Sequence, residues 1–461
     1  MTTTVVLPSD IASDIDEATR LPVETAGVLL VSIVEVSDGT TRLLARKLCW
    51  IPNSSYIHRG GDHLAITSEG YVPFLAEADS MGASAIWIHT HPGADGRPNP
   101  SDHDEEVDRQ ISDLFRLRTN KNYYGTLIFS PRTNGIAFTG YIQAEGQPRR
   151  SLNYIWEVGN RFSLTRSWDS PQINISPIFD RSVRAFGGAV QSALGQLTVG
   201  IVGCGGTGSA VTEQLTRLGV RNFILIDPQE LSGSNITRVY GSTIEDVGKD
   251  KVQVLQEHIQ RITHDIKCKS IKSMITLQKT ALQLCECDVI FGCTDDNAGR
   301  LILSRLSTFL LTPVIDCGVL LSDDGNGGIQ GIDGRITTLV PGQACLVCRS
   351  RINLTRAATE LLTPEERTQR ENEGYAPALG RIEPAVVTFT TLVAATAVSE
   401  LLERFIGYGP EPRPSEVLLR CHDREISTNV QLPREGHYCD LAVGKLGLGI
   451  TDPFLEQTWP N

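Results

Sequence analysis

A glycine-rich turn between an apolar run and a helical pattern, LTVGIVGCGGTGSAV, constrains the fold of this chain more than any other feature. Gly203, Gly205 and Gly208 form a GxGxxG pattern, which lets the backbone turn tightly from a buried strand into a helix. The free backbone amides at such a helix start favour phosphate. The turn therefore predicts a nucleotide-binding α/β unit, and an NAD-dependent dehydrogenase fits it as well as an ATP-using enzyme does.

Strand and helix patterns alternate on the carboxyl side of this turn. A helical pattern covers residues 251–262, and the strand-like runs are FILID, DVIFGCTD and PVIDCGV. Such alternation implies a mostly parallel, doubly wound sheet with crossover helices. We therefore predict a Rossmann-like α/β domain over residues 178–461.

The amino-terminal part of the chain has a different pattern. Residues 1–145 mix short apolar runs with two helical stretches, near residues 9–20 and 101–118, which predicts an α+β domain. Residues 146–177 are polar with scattered prolines and aromatics, which predicts a linker. A chain of 461 residues has room for these two domains.

Charge and composition bear on whether the protein binds nucleic acid, crosses a membrane or is secreted. The formal net charge of −12 argues against a general nucleic-acid surface. The amino terminus lacks a signal-peptide pattern, and polar residues interrupt the apolar stretch near residues 386–406, so we expect a buried helix and no membrane span. We expect a cytoplasmic protein whose eleven cysteines are reduced.

The segment IWIHTHPGADGRPNPSDHDEE carries the ligands of a metal site. His89 and His91 are separated by one residue, so on a strand both imidazoles face the same side. Asp104, in the first turn of a helix capped by Ser101, can supply a third ligand. Three protein ligands with one position open to water form a catalytic zinc site. Such a site needs a general base, and Glu24, which precedes an apolar strand, is the best candidate.

This pattern resembles the JAMM motif of the JAB/MPN zinc metalloproteases, in which a Glu is followed by HxHP and then by a Ser and an Asp three residues apart. The resemblance implies that His89, His91 and Asp104 bind the catalytic zinc. It also implies that Glu24 activates the water and that Ser101 stabilises the oxyanion. The loop between the histidines and the serine is longer than is usual in the family.

Polar and charged residues follow the glycine-rich turn in a fixed order. Asp227 ends the next strand and suits a ribose hydroxyl, and Asn235 and Arg238 follow it. Lys251 starts a helix, and Asp295 ends a later strand. Two cations near a phosphate-binding turn, with an acid at a neighbouring strand end, suit a triphosphate with magnesium better than a nicotinamide cofactor.

Together with an RxxR motif that ends at Arg184, this order resembles the ThiF/MoeB/HesA family of ubiquitin-activating-type adenylyltransferases. The resemblance implies that Arg238 and Lys251 contact the ATP phosphates and that Asp295 binds magnesium. Arg184 would reach across a homodimer to the partner's ATP. The family's CTDN motif reads CTDD here, with Asp296 in the Asn position. Family members adenylate the C-terminal glycine of a ubiquitin-like protein.

A CLVC motif formed by Cys345 and Cys348 follows an apolar turn. In the family that the chain resembles, this CxxC is half of a structural four-cysteine zinc site. The corresponding C-terminal stretch, REGHYCDLA, offers Cys439 and His437. A site of three cysteines and one histidine is chemically acceptable, and Cys421 competes as the fourth ligand.

The catalytic cysteine that many family members carry has no counterpart in the expected loop, GYAPALGRIEPAV. The sequence has no Cys between Cys348 and Cys421. Two routes follow for the acyl-adenylate. Either the thiol of a partner, such as a conjugating-enzyme-like protein, attacks it directly, or Cys345 or Cys348 acts as the nucleophile.

The motifs together predict a bifunctional enzyme of a prokaryotic ubiquitin-like pathway, as in bacterial conjugation systems. The zinc protease would trim or deconjugate a ubiquitin-like protein, and the second domain would adenylate its C-terminal Gly with Mg·ATP. Three alternatives remain open: sulfur-carrier activation for cofactor biosynthesis, an NAD-dependent enzyme, and a non-enzymatic scaffold.

Overall fold

The computed structural model describes residues 2–36, 39–61, 63–93, 96–133, 135–171, 173–323, 329–362, 366 and 385–460. The chain divides into two compact units. The first unit contains Met1–Gln172 and Gly447–Ile450, and the second contains Ile173–Leu446 and Thr451–Asn461.

The first unit is built on a nine-stranded sheet and a separate hairpin. Its strands are β1 (Thr3–Pro8), β2 (Ala26–Glu35), β3 (Thr41–Trp50), β4 (Tyr56–Arg59), β5 (Leu64–Ile66), β6 (Ser84–Thr90), β7 (Tyr123–Arg132), β8 (Gly135–Ala144), β9 (Arg150–Ser151), β10 (Tyr154–Val158) and β11 (Ser163–Arg166). Its helices are α1 (Ser9–Thr19), α2 (Val72–Ser80) and α3 (Asp102–Thr119). The order in the large sheet is β11-β10-β1-β3-β2-β6-β7-β8-β9, and β4 pairs with β5.

Strand β6 lies inside this sheet, antiparallel to β2 and parallel to β7, and each of its residues is buried. Side chains alternate between the two faces of a strand. Ile86 and Ile88 accordingly join the core beneath α1, whereas Ala85 and Trp87 join the core beneath α2 and α3. The alternation places His89 on the same face as Trp87, towards α3.

The linker predicted for residues 146–177 is wrong over residues 150–166, which form β9, β10 and β11 of this sheet. Strand β10 pairs in parallel with β1 and buries Ile155, Trp156 and Val158. The short apolar run YIWEV is flanked on both sides by polar residues, so average composition concealed it. The change between the two units falls near residue 172.

The second unit holds an eight-stranded mixed sheet. Its strands are β12 (Thr198–Val202), β13 (Asn222–Ile226), β14 (Lys267–Ile271), β15 (Val289–Gly292), β16 (Val314–Asp323), β17 (Ile329–Leu339), β18 (Glu416–Arg420) and β19 (Glu425–Asn429). Within the described residues, its α-helices are α4 (Asp180–Phe186), α5 (Gly188–Gln196), α6 (Gly206–Leu218), α7 (Lys251–Ile262), α8 (Gln278–Ala281), α9 (Asn297–Phe309), α10 (Leu354–Glu360) and α11 (Val387–Ile406).

The strand order β14-β13-β12-β15-β16-β17-β18-β19 confirms the Rossmann-like prediction for the parallel half, which runs from β14 to β16. Strands β17 to β19 extend it as an antiparallel meander. Strand β12 lies between β13 and β15. Strands β13 and β14 are added on one side of β12 and strands β15 and β16 on the other, so β12 is the switch point of the sheet. Ligands of doubly wound sheets bind at the carboxyl ends of the strands around such a switch point.

The longest apolar helix is α11, which packs on α6 and on strands β16 and β17. None of the described helices combines the length and the apolar character that crossing a lipid bilayer requires.

Truncating Trp156 tests the place of β10 in the sheet. The indole is fully buried, whereas Trp168 is 38% exposed and serves as a matched control. We expect Trp156→Ala to lower the free energy of unfolding by about 3–5 kcal/mol, because it leaves a cavity, and Trp168→Ala to cost clearly less. Urea denaturation of the full chain measures both. Equal losses would contradict the buried position of β10.

Candidate functional site

The glycine-rich turn joins β12 to α6 with no room for side chains at two positions. Gly203 has a φ of 93°, and a Cβ there would lie 2.6 Å from the carbonyl oxygen of Cys293. A Cβ on Gly208 would lie 1.8 Å from the carbonyl oxygen of Gly203. Gly205, the N-cap of α6, faces open space instead. The turn therefore packs closely against β15 and leaves the start of α6 accessible to a ligand.

Both predicted phosphate contacts lie beside this turn. A Cβ on Gly206 would lie 3.3 Å from Cδ of Arg238, whose Nη1 donates to the carbonyl of Ser234 at 3.0 Å. Lys251 is the first residue of α7, and its buried Nζ donates to Oε1 of Gln229 at 2.6 Å. Both hydrogen bonds go to neutral oxygen acceptors and not to a carboxylate, which suits side chains that bind an anionic ligand.

The side chains of Asp227 and Asn235, also predicted to contact the nucleotide, accept hydrogen bonds from backbone amides. Asp227 is buried and accepts one hydrogen bond from the Cys204 amide and one from the Gln229 amide, each at 2.8 Å. Asn235 is buried, and its Oδ1 accepts from the Ser232 amide at 3.1 Å. Asp227 thereby ties the glycine-rich turn to the end of β13.

Asp295 follows β15 and is exposed at the same sheet edge. Its neighbour Asp296 caps α9 by accepting from the amide of Gly299, and it also accepts from the hydroxyl of Thr294. The Asp found in the Asn position of the CTDN motif is therefore a helix cap. The carboxylate of Asp295 is exposed, so a hydrated magnesium ion can bind to its oxygens.

Arg184 lies on the exposed helix α4, where its guanidinium pairs with Asp180 at 3.0 Å. Its side chain is 79% exposed, so it is accessible from outside the chain. Arg300, which follows Asp295 in the same stretch of sequence, instead forms a two-point ion pair with the buried Asp316. That pair joins α9 to β16, and the spacing of the motifs does not reveal it.

In the first unit, His89, His91 and Asp104 form a cluster whose ligand atoms lie within 4.8 Å of one another. Nε2 of His89 is 3.1 Å from Oδ1 of Asp104 and 3.2 Å from Nε2 of His91. Nε2 of His91 is 3.5 Å from Oδ2 of Asp104. His89 lies on β6, His91 follows the last residue of that strand, and Asp104 lies in the first turn of α3, so the strand end and the helix start bring the three groups together.

Ser101 is the N-cap of α3, as predicted from the sequence. Its backbone amide and its hydroxyl both donate to Oδ2 of Asp104, at 2.7 and 2.8 Å, and its Oγ accepts from the Asp104 amide. Burial raises the pKa of Asp104, but hydrogen bonds from His89, His91 and Ser101 outweigh it and hold that pKa well below its usual range. Asp104 is therefore a carboxylate, the form that binds a metal.

Glu24 lies beside this cluster, with Oε1 3.9 Å from Nε2 of His91. Three contacts fix the backbone here: the Thr25 amide donates to Oγ1 of Thr90, the Glu24 amide to the carbonyl of Gly60, and Nε of Arg59 to the carbonyl of Glu24. Sequence reasoning missed Arg59, because its role depends on where the β4–β5 hairpin packs.

The three groups of this cluster fit a zinc ion. Two imidazole nitrogens and a carboxylate oxygen converge, which is the donor set of catalytic zinc. Among the described residues, Nδ1 of His89 has no hydrogen-bond partner although it is buried, so no described acceptor fixes the tautomer of that ring. The two Nε2 atoms face each other at 3.2 Å, as ligands of one shared ion do.

A second cluster, in the other unit, consists of Cys345, Cys348, His437 and Cys439. Sγ of Cys348 is 3.6 Å from Sγ of Cys439, and Nδ1 of His437 is 3.3 Å from the same sulfur. A hydrogen bond from Cys439 lowers the pKa of Cys345. All three thiols are buried, and the set suits a structural zinc ion.

Cys421 is not a member of this cluster. It follows β18, where its amide donates to the carbonyl of Ile332. The fourth group of the cluster is His437, one of the two candidate ligands that the sequence left open. The expected catalytic-cysteine loop, GYAPALGRIEPAV, lies outside the described residues apart from its last two.

The ThiF family model matches residues 179–440 of this chain, more than half of its length. The chain is 26% identical over 203 residues to the sulfur carrier protein ThiS adenylyltransferase of Escherichia coli K12, covering 44% of this chain and 70% of that protein. It is 29% identical over 172 residues to the molybdopterin-synthase adenylyltransferase of the same organism, covering 37% and 65%.

The chain is also 23% identical over 148 residues to the SAMP-activating enzyme E1 of Haloferax volcanii, covering 32% of this chain and 51% of that protein. Among solved structures, it is similar to E. coli MccB with succinimide, with a TM-score of 0.45 and 17% identity. That match covers 58% of this chain and 75% of the MccB chain.

Two glycine substitutions test the packing of the turn. We expect Gly208→Ala to lower the free energy of unfolding by about 1–3 kcal/mol or more, because its Cβ would overlap the Gly203 carbonyl. Gly205→Ala faces open space and should change stability by less than about 0.5 kcal/mol. Chemical denaturation of both variants measures the difference. A Gly208→Ala variant as stable as Gly205→Ala would contradict the geometry.

Proposed function

Because the chain belongs to the ThiF family, we propose that its residues 179–440 use Mg·ATP to adenylate the C-terminal glycine of a small carrier protein. The observation that carries the proposal is the pair of cations, Arg238 and Lys251, beside the accessible start of α6. A hydride-transfer enzyme has no need of two cations at this place.

The proposed reaction activates a carboxylate, which is inert towards nucleophiles. An oxygen of the carrier's terminal carboxylate attacks the α-phosphorus of ATP, and the bond from that phosphorus to the bridging β-oxygen breaks. Arg238, Lys251 and the amides of the glycine-rich turn stabilise the charge on the departing pyrophosphate. Asp295 would hold magnesium, which neutralises phosphate charge when bound.

The carrier is a ubiquitin-like protein or a sulfur-carrier protein. Both kinds stay open, because the relatives include one named for a sulfur carrier and one named for a SAMP substrate. For the first kind, a conjugating-enzyme-like thiol is the proposed acceptor of the acyl group, in a cytoplasmic prokaryotic pathway. Incubation of the adenylated carrier with sulfide or with such a thiol protein distinguishes the two.

Arg184 supports a homodimer in this proposal. It is exposed on α4, and its guanidinium is accessible to a ligand held by a second copy. Its contribution in trans would add a third cation to each ATP site.

We also propose that the first unit is a zinc-dependent peptidase or isopeptidase of the JAMM type. The specific observation in favour is the convergence of His89, His91 and Asp104 with Glu24 beside them. Zinc, when bound, lowers the pKa of a coordinated water. Glu24 would accept a proton from the attacking water and deliver it to the leaving amine, and the Ser101 hydroxyl would stabilise the oxyanion.

The two proposed activities act on the same part of the carrier. Processing would expose a C-terminal glycine, or deconjugation would release it, and adenylation would activate it. One chain that carries both sites raises the local concentration of the shared substrate tail.

Cys345, Cys348, Cys439 and His437 are proposed to hold a structural zinc ion. The buried thiols and the single imidazole suit tetrahedral coordination with no open position. Such an ion would hold the CxxC turn against the C-terminal segment. As its ligands, neither Cys345 nor Cys348 would be available as a nucleophile.

Lysine substitutions test the adenylation site. Lys251→Ala should slow carrier-dependent ATP–pyrophosphate exchange by about 100-fold or more, because it removes a buried cation from the phosphate site. Lys249→Ala is the matched control: Lys249 pairs with Asp246 on the surface, and its loss should leave the rate within about twofold. Equal effects of the two variants, or exchange without any carrier, would contradict the proposal.

Glutamate and histidine substitutions test the peptidase site. Glu24→Gln should reduce cleavage of a carrier precursor or conjugate by about 100-fold or more, because it removes the general base, with two zinc ions per chain retained. His89→Ala should lose one of the two ions. Cleavage assays and metal analysis measure both. A Glu24→Gln variant that keeps full activity, or a His89→Ala variant that keeps both ions, would refute the assignment.

A further inference from the structure

A buried carboxylate lies one turn beyond the proposed zinc ligand on helix α3. Asp108 is 5% exposed, and its two oxygens accept hydrogen bonds from two tyrosines. Oδ1 accepts from the hydroxyl of Tyr124 at 2.6 Å, and Oδ2 accepts from the hydroxyl of Tyr141 at 2.9 Å. Tyr124 belongs to β7 and Tyr141 to β8, so one side chain joins the helix to two neighbouring strands.

Such a group is costly to bury, and an apolar residue would fill the space without that cost. Burial raises the pKa of Asp108 even though both tyrosines oppose the shift. The two hydrogen bonds fix the position and the orientation of the carboxylate. An apolar side chain makes no such directional contacts. The polar contact therefore sets where the start of α3 lies on the sheet.

The same strands carry the other half of the proposed zinc site. Strand β7 pairs in parallel with β6, and His89 lies opposite Ile128 in that ladder. Asp104 precedes Asp108 by one helical turn, so the two point from the same face of α3. The hydrogen bond from Tyr124 to Asp108 therefore joins α3, which carries Asp104, to β7, which pairs with the strand that carries His89.

A second tether reinforces this one. Arg149 pairs with Glu105, the residue after Asp104, at 2.9 Å, and its guanidinium lies 4.0 Å from the centre of the Tyr141 ring. Arg149 therefore links Tyr141 to Glu105, and it restrains the first turn of α3 rather than the far end of that helix.

We propose that Asp108 is a positioning residue that, through Tyr124 and Tyr141, holds Asp104 at ligand distance from His89 and His91. This inference rests on the proposed zinc site of the first unit. Partners behind the ligands of a metal site typically contribute 10- to 100-fold in metal affinity, by fixing the ligand before the ion arrives.

The test is zinc affinity of the full chain, measured by chelator competition with added Zn²⁺. His89→Ala, run in parallel, identifies which release step belongs to the first unit. The variants are Tyr124→Phe and Asp108→Leu, with Asp108→Asn as the conservative replacement. Tyr123→Phe is the matched control, because Tyr123 lies on the same strand and donates a hydrogen bond of the same 2.6 Å length to Glu35 instead.

We expect Tyr124→Phe and Asp108→Leu to weaken the His89-dependent zinc step by about 10-fold or more. Asp108→Asn should weaken it less, and Tyr123→Phe should leave it within about twofold. Tyr124→Phe keeps the buried ring, so the test stands even if Asp108→Leu does not fold.

Two other outcomes overturn the inference in distinguishable ways. A lower melting temperature for Tyr124→Phe with unchanged zinc affinity would show that Asp108 is a stability anchor only, while the zinc site survives. The absence of any His89-dependent zinc step in the unmodified chain would refute the proposed site and this inference together.

Discussion

The approach of α6 to the end of β12 is the contact on which the nucleotide half of the chain depends. The helix begins so close to the strand that a methyl group at Gly208 would overlap the Gly203 carbonyl. Gly205, the N-cap of α6, faces open space at the switch point of the sheet, which is where doubly wound sheets bind anionic ligands. Asp227 fixes the turn by accepting from the Cys204 amide, Arg238 lies beside Gly206 of α6, and Lys251 donates to Gln229.

The first unit uses the same arrangement, a strand end facing a helix start, for a different chemistry. His89 lies on β6 and His91 directly after it, and Asp104 lies in the first turn of α3, which Ser101 caps. The sequence between these two elements lacks the GxGxxG pattern, and in our proposal their distance depends on polar contacts such as those of Asp108. Rossmann-type sites are positioned by the backbone, whereas this cluster is positioned by side chains.

Much of both sites could be predicted because local patterns encode them. The parallel strands carry the turn and Asp295 to one sheet edge, and alternation on β6 places both histidines on one face. The strand containing Trp156 was missed because its polar flanks dominate the composition. The partnership of Arg300 with Asp316 and the place of Arg59 depend on which distant elements pack together, which no local pattern records.

The most direct measurement of the central claim is the fate of ATP when the chain meets a carrier that ends in glycine. Adenylation predicts that label from α-phosphate-labelled ATP appears on the carrier and in AMP, with one pyrophosphate released for each carrier activated. Label from the γ-phosphate should appear only in pyrophosphate. Release of ADP and inorganic phosphate, or a carrier labelled from the γ-position, would contradict the assignment of residues 179–440 as an adenylyltransferase.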